Sequence, residues 1–109
     1  MFDSNCYLTN SCIYHYKANF NYNCYQLRLL NWLKDNYMTK EDILEYEKLS
    51  PLIVLKINEK NKEAIYSDIF YNILLKITYL IEEGSYKEAY LVYKESLIKL
   101  KEQFINKQK

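Results

Sequence analysis

Every cysteine in the chain and its only histidine fall within the first 24 residues, as Cys6, Cys12, His15 and Cys24. Three thiolates and an imidazole are a donor set that zinc accepts in a tetrahedral site, and zinc would anchor an otherwise weak N-terminal segment. The spacing argues against that use. Structural zinc sites usually draw on cysteine pairs about two to four residues apart, whereas five residues separate Cys6 from Cys12. On an extended strand His15 and Cys24 would also point to opposite faces. The favoured reading makes Cys12 and Cys24 small buried hydrophobes and leaves His15 exposed. No metal ligand is assigned, and a small zinc-stabilised regulator stays as an alternative.

Catalysis finds little support. Nothing electropositive near the cysteines marks one as an activated nucleophile beside His15. The carboxylates Glu45, Glu47, Glu82 and Glu83 sit among lysines on polar faces and read as solvated surface. One glycine, Gly84, cannot build a phosphate-cradling loop. The chain is therefore read as a non-enzyme, with no catalytic residue, no cofactor and no nucleotide-driven chemistry.

What remains is aromatic. There are 13 tyrosines against one glycine and one proline, too many for so small a core to hide with every hydroxyl satisfied. Tyr14, Tyr16, Phe20 and Tyr22 would form a ladder on one strand face, and Tyr86, Tyr90 and Tyr93 recur at helical spacing. Tyrosine joins a large apolar body to a hydrogen-bonding tip at little entropic cost, which suits interfaces. Tyr14, Tyr16, Phe20, Tyr22, Tyr86 and Tyr90 are the candidate interaction residues.

The elements that must position these groups follow from hydropathy patterning. From Ser11 to Tyr25 the side chains alternate, with Tyr14, Tyr16, Ala18, Phe20, Tyr22 and Cys24 on one parity. That predicts a half-buried strand, with Cys6–Leu8 as a short partner across a Thr9-Asn10-Ser11 turn. A helix is predicted over Gln26–Tyr37, its stripe formed by Leu27, Leu30 and Leu33 and widened by Leu29 and Trp32. Thr39 is placed to cap a short helix starting at Lys40, with Asp42 three residues on and Met38 and Ile43 as a hydrophobic staple. Ser50-Pro51 reads as a second cap or a break, and Leu52–Ile57 as strand or helix, with a lean to helix.

Ile65, Ile69, Ile73, Ile77 and Leu80 predict one long helix over Lys62–Glu83, stopped by Gly84. Ser85 and Glu88 form a capping box for a last helix from Tyr86 towards Phe104, facing its partner with Ala89, Tyr93, Ser96, Leu97, Leu100 and Phe104. The run Gly84-Ser85-Tyr86-Lys87-Glu88-Ala89, followed by Tyr93, Ser96 and Leu97, resembles the turn and second helix of a tetratricopeptide repeat. The resemblance covers about Ile73 to Leu100, in a single copy. Ile73 stands where that family often has Trp, and Ile77 where it prefers a small residue. The resemblance implies the geometry of an antiparallel helical hairpin.

The expected fold is mainly α: an N-terminal strand or β-hairpin packed on a small helical bundle that ends in a long helical hairpin. It forms a single domain of 109 residues, with a tyrosine-rich segment over 1–25, short helices over 26–60 and the hairpin over 62–107. Lys+Arg 15 against Asp+Glu 14 provides no field to draw the chain onto polyanions. The exception is the lysine-rich end, Lys99, Lys101, Lys107 and Lys109, read mainly as a solvated helix terminus.

No run approaches the roughly 20 apolar residues of a membrane span, and Met1–Asn10 lacks the pattern of a signal peptide. A cytoplasmic location, no membrane contact and free thiols are expected. Heavy use of Lys, Asn, Ile and Tyr suits an AT-rich coding sequence such as a phage or mobile element carries. The resulting expectation is a protein-protein interaction module, adaptor or inhibitor, one version being an anti-defence factor of the anti-CRISPR kind. A homodimer through the strand edge is its nearest structural form. Nucleic-acid binding by tyrosine stacking and the lysine-rich end is the disfavoured alternative.

Overall fold

The segment expected to be a strand is a helix. A computed structural model describes residues 5–106, and among these every regular element is helical: α1 Tyr7–Tyr16, a 3-10 turn Lys17–Asn19, α2 Tyr25–Tyr37, α3 Lys40–Asn58, α4 Lys62–Ile69, a π-helical turn Phe70–Leu74, α5 Leu75–Glu82 and α6 Tyr86–Phe104. The fold is thus an all-α bundle, and the predicted N-terminal strand or hairpin is overturned. The strand-edge dimer loses its basis with it. Lys107 and Lys109 lie outside the described residues.

The local chemistry of α1 explains the misreading. Thr9, Asn10 and Ser11 signalled a turn because such side chains compete for backbone groups. Here two of them turn back on their own helix: Ser11 Oγ donates to the Leu8 carbonyl at 2.6 Å, and Asn10 Nδ2 to the Cys6 carbonyl at 3.0 Å. Cys6 Sγ serves as the N-cap, accepting from the Thr9 N–H at 3.4 Å. Tyr7, Leu8, Thr9, Ser11 and Cys12 are all buried. A helix wrapped so widely shows little amphipathic period, and tertiary burial overrides the β-preference of its Tyr, Thr, Cys and Ile residues. The alternation further on, over residues 18–24, falls mostly in the link to α2, where no ladder exists.

Other expectations meet a clearer outcome. Leu27, Leu30 and Leu33 of α2 are buried, and Thr39 Oγ1 accepts from the Asp42 N–H at 3.1 Å to cap α3. That helix is not short. It runs for 19 residues straight through Ser50-Pro51, so Leu52–Ile57 is helical, with Ile53, Val54 and Ile57 in the core. Ser50 is not a cap either: its Oγ is buried and accepts the Tyr7 N–H of α1 at 3.0 Å. Pro51 costs α3 an N–H and crowds the carbonyl four residues back. Pro51→Ala is therefore expected to stabilise the chain by about 2 kcal/mol, the helix-interior penalty less the entropy that proline removes from the unfolded state. A lower denaturation midpoint in this variant would refute the account.

The long helix predicted over Lys62–Glu83 is continuous, but its phase changes. In the π turn the Leu75 N–H reaches back to the Phe70 carbonyl, five residues away. One residue is thereby inserted into the face. The buried stripe becomes Tyr66, Ile69, Phe70, Leu74, Ile77, Thr78 and Ile81, while Ile65, Ile73 and Leu80 are only half-buried. Over Lys62–Glu82 this rod has 21 residues, and its most apolar 18-residue window has a mean hydropathy of 1.2, long and apolar enough for a span by length and composition. Its apolar side chains are instead used against α1, α2 and α6.

Gly84, at φ 81°, ends α5. The Ser85 N–H bonds the Leu80 carbonyl at 2.8 Å and the Gly84 N–H bonds Ile81 at 3.0 Å, the paired bonds of a Schellman stop. The Ser85 side chain makes no capping bond, so the expected box is not formed. The three-residue link Glu83-Gly84-Ser85 still folds α6 back on α5, and the face chosen for α6 is the buried one: Ala89, Tyr93, Ser96, Leu97, Leu100 and Phe104. Around this hairpin α2 crosses α5 and α6, α3 packs on α6, and α1 closes the core against α3, α4 and the π turn.

Candidate functional site

The 13 tyrosines divide by depth. Tyr7, Tyr46, Tyr66 and Tyr93 are buried, Tyr14, Tyr16, Tyr86 and Tyr90 half-buried, and Tyr22, Tyr25, Tyr37, Tyr71 and Tyr79 exposed. The buried ones form the polar spine of the core. Ser96 Oγ already donates to the Tyr93 carbonyl at 2.8 Å, so in its 2.9 Å contact with Tyr7 the tyrosine is the donor. Tyr46 stacks on Tyr93 at 5.1 Å between centroids and places its hydroxyl 2.7 Å from Cys6 Sγ. Burial pushes the pKa of all four phenols up, as it does for the Cys6 and Cys12 thiols. Protonated, enclosed thiols are poor nucleophiles.

The cysteines and histidine do not assemble. Cys12 lies beside Cys24, but Cys6 faces Tyr46, and His15 is nine residues along α1, about 13 Å up the axis. His15 is exposed and its ring stacks on Phe70 at 3.9 Å and 11°. Among the described residues no group of three or more His, Cys, Asp or Glu is arranged to hold a metal.

The six candidate interaction residues separate into two regions. Tyr86 belongs to a cluster on the α2–α6 side, with Trp32 at 4.9 Å and Tyr37 at 5.2 Å, and Trp32 to Tyr37 is 5.7 Å. Trp32 is 39% exposed and Tyr37 43%. One turn along α6, Tyr90 accepts the Thr39 N–H at 3.1 Å and donates to Asp42. That donated bond, with Lys94 Nζ 3.5 Å away, holds the Asp42 carboxyl below its ordinary pKa. At the other end of α2, Tyr25 donates to Glu82, which pushes the phenol's pKa up. These bonds pin α2 and α3 to the hairpin and leave the three-ring cluster on a rigid base.

Sequence reasoning gave Tyr86 to this face but not Trp32 or Tyr37, having assigned Trp32 to the buried stripe of α2. A signal existed: Tyr25 and Trp32 are seven residues apart, two helical turns, and both fall outside the Leu27-Leu30-Leu33 line.

The second region lies where α1 ends against the π turn. Tyr14 stacks on Tyr66 at 5.0 Å, and Tyr16 donates to Gln26 Oε1 at 3.0 Å. Phe20 meets Tyr22 edge-on at 4.8 Å. Tyr71 stands edge-on to His15 at 5.5 Å and to Phe70 at 5.3 Å. Beside these rings a cleft of about 370 Å³ is lined by Tyr14, His15, Lys17, Glu63, Ser67 and Tyr71. Lys17, with φ 53° and ψ −123°, is the only non-glycine residue at positive φ among those described. Such a conformation costs an L-residue about 1–3 kcal/mol, and such strain gathers at functional sites.

Compared with known protein families, with curated proteins and with solved structures, the chain finds no match in any of the three.

Proposed function

We propose that the chain is a non-catalytic binding module, an adaptor or inhibitor, that docks a partner protein through Trp32, Tyr37 and Tyr86. The observation that carries this reading is the three-ring cluster held between α2 and α6, with Trp32 and Tyr37 exposed and Tyr86 half-buried. Tryptophan and tyrosine dominate binding hot spots because they desolvate a large rigid area at little entropic cost. The complementary partner presents an apolar pocket or ridge ringed by polar groups. An inhibitor that occludes a larger enzyme, of the anti-defence kind, is the concrete version that small size and AT-rich residue usage support.

Affinity capture of the tagged chain from lysate of its native host, in parallel with Trp32→Ala and with a nuclease-treated arm, tests the reading. A protein partner should survive nuclease and be lost from Trp32→Ala by about thirtyfold in affinity, while helical circular dichroism is unchanged. Equal capture by the variant, or recovery of nucleic acid alone, would overturn the proposal.

A further inference from the structure

We infer that the cleft between α1 and the π turn is a binding site for a nucleotide, taken either free or as one residue of a single strand. It is separate from the α2–α6 cluster and does not depend on it. Its walls are aromatic. Tyr14, His15 and Tyr71 all line it, and the first two are each backed by a ring that does not. Tyr66 backs Tyr14 and Phe70 backs His15, both of them buried in the core. Tyr71 touches its neighbours only edge-on and remains 54% exposed, so a ring face is open for a planar guest. Stacking of a base on such a ring is the main source of sequence-tolerant nucleobase affinity.

The π turn makes this arrangement. By inserting one residue it sends Phe70 into the core and leaves Tyr71 outside beside His15, and π turns of this kind recur at functional sites.

The polar groups suit the rest of a nucleotide. Lys17 lines the cleft, and Lys62 holds its ammonium 5.9 Å from the Tyr14 ring centroid, at the same wall. Lys17 and Lys62 thus bring two ammonium groups to this region against one lining carboxylate, Glu63, which accepts hydrogen bonds and fits ribose hydroxyls, as does Ser67 of the lining. Lysine is a point-charge phosphate binder that needs no glycine-rich loop. The backbone at Lys17 adds an independent reason. Its φ of 53° is a glycine conformation, yet the position carries a lysine, and that residue lines the cleft. Local cations thus supply what the near-neutral net charge does not.

Calorimetric titration of the whole chain with adenosine 5′-monophosphate and uridine 5′-monophosphate tests the site. Adenosine, lacking phosphate, and ribose 5-phosphate, lacking a base, are the controls. Both nucleotides should bind, and each control should bind at least about tenfold more weakly, since stacking and charge both contribute. Lys17→Gly and Tyr71→Ala should each weaken nucleotide binding by about fivefold or more. Lys17→Gly should at the same time raise the melting temperature by about 4 °C, because glycine relieves the strained φ, so its lost affinity cannot come from unfolding. A short uridine-rich RNA that binds more tightly than the mononucleotide identifies a strand as the source, and equal affinity identifies the free nucleotide. No saturable binding at millimolar nucleotide, or wild-type affinity in both variants, would overturn the site.

Discussion

Above pH 10 this protein is expected to unfold steeply, losing about 5 kcal/mol of stability per pH unit from its buried phenols alone, against a total of about 5–15 kcal/mol for a domain of this kind. The reason lies in Tyr7, Tyr46, Tyr66 and Tyr93, whose phenols are enclosed in the core and whose pKa values burial raises well above the ordinary 10.0. Between the unfolded and folded pKa values the folded chain keeps protons that the unfolded chain has released. Fewer protons bound in the unfolded state makes the slope of stability against pH negative. Each buried phenol contributes about 1.4 kcal/mol per unit, so the share of stability that the phenols carry is whole below pH 10 and lost as pH rises above it. The thiols of Cys6 and Cys12, raised by burial from 9.0, start the decline a unit earlier.

Denaturant midpoints measured from pH 8 to 12, with tyrosinate absorbance followed alongside helical circular dichroism, check this. The four buried phenols should ionise together with loss of helix, within about one to three units above pH 10. Native helical signal persisting through that range would show that the four rings are not enclosed as described. Tyr93→Phe should flatten the slope by about 1.4 kcal/mol per unit, the share of one group.

The second large effect separates the ring of Tyr7 from its hydroxyl. Tyr7 is fully enclosed, lies 5.2 Å from the Tyr46 ring, donates to Ser96 and gives its N–H to Ser50 of α3. Tyr7→Ala should cost about 4 kcal/mol, the range for removing a buried aromatic ring that leaves a cavity between α1, α3 and α6. Tyr7→Phe should cost only about 1 kcal/mol. Ser96 Oγ keeps the bond it donates to the Tyr93 carbonyl, so no donor is orphaned when the phenol is removed. Chemical denaturation of both variants checks the pair. Equal losses would mean that the hydroxyl network, and not ring packing, holds α1 in place.

Much of the second half of the fold was legible in the sequence. The six inward residues of α6, the Gly84 stop and the Thr39 cap each depend on neighbours within a turn or two, and those are local rules. Ser50-Pro51 was not legible, because a helix tolerates an internal proline only where packing outweighs it, and that packing comes from the distant α6 and α1. The α1 segment was lost for a related reason. Its period of two was real in the letters, but the backbone is set by enclosure against α3, α4 and the π turn. For the candidate sites the sequence flagged tyrosines correctly as too many to bury, yet it grouped them by strand parity that does not exist.

The amino-acid sequence by itself determined that this is a helical, one-glycine chain with a surplus of tyrosine and a C-terminal hairpin, since composition, caps and the 3.6-residue period act along the chain. Only the tertiary structure decided which rings are core and which are surface, where the π turn shifts the buried face by one residue, and that Trp32, Tyr37 and Tyr86 meet while Cys6 and His15 do not. Those outcomes turn on contacts between residues tens of positions apart. Such contacts are chosen by whichever packing buries most apolar area with its polar groups satisfied, and no local spacing encodes that choice.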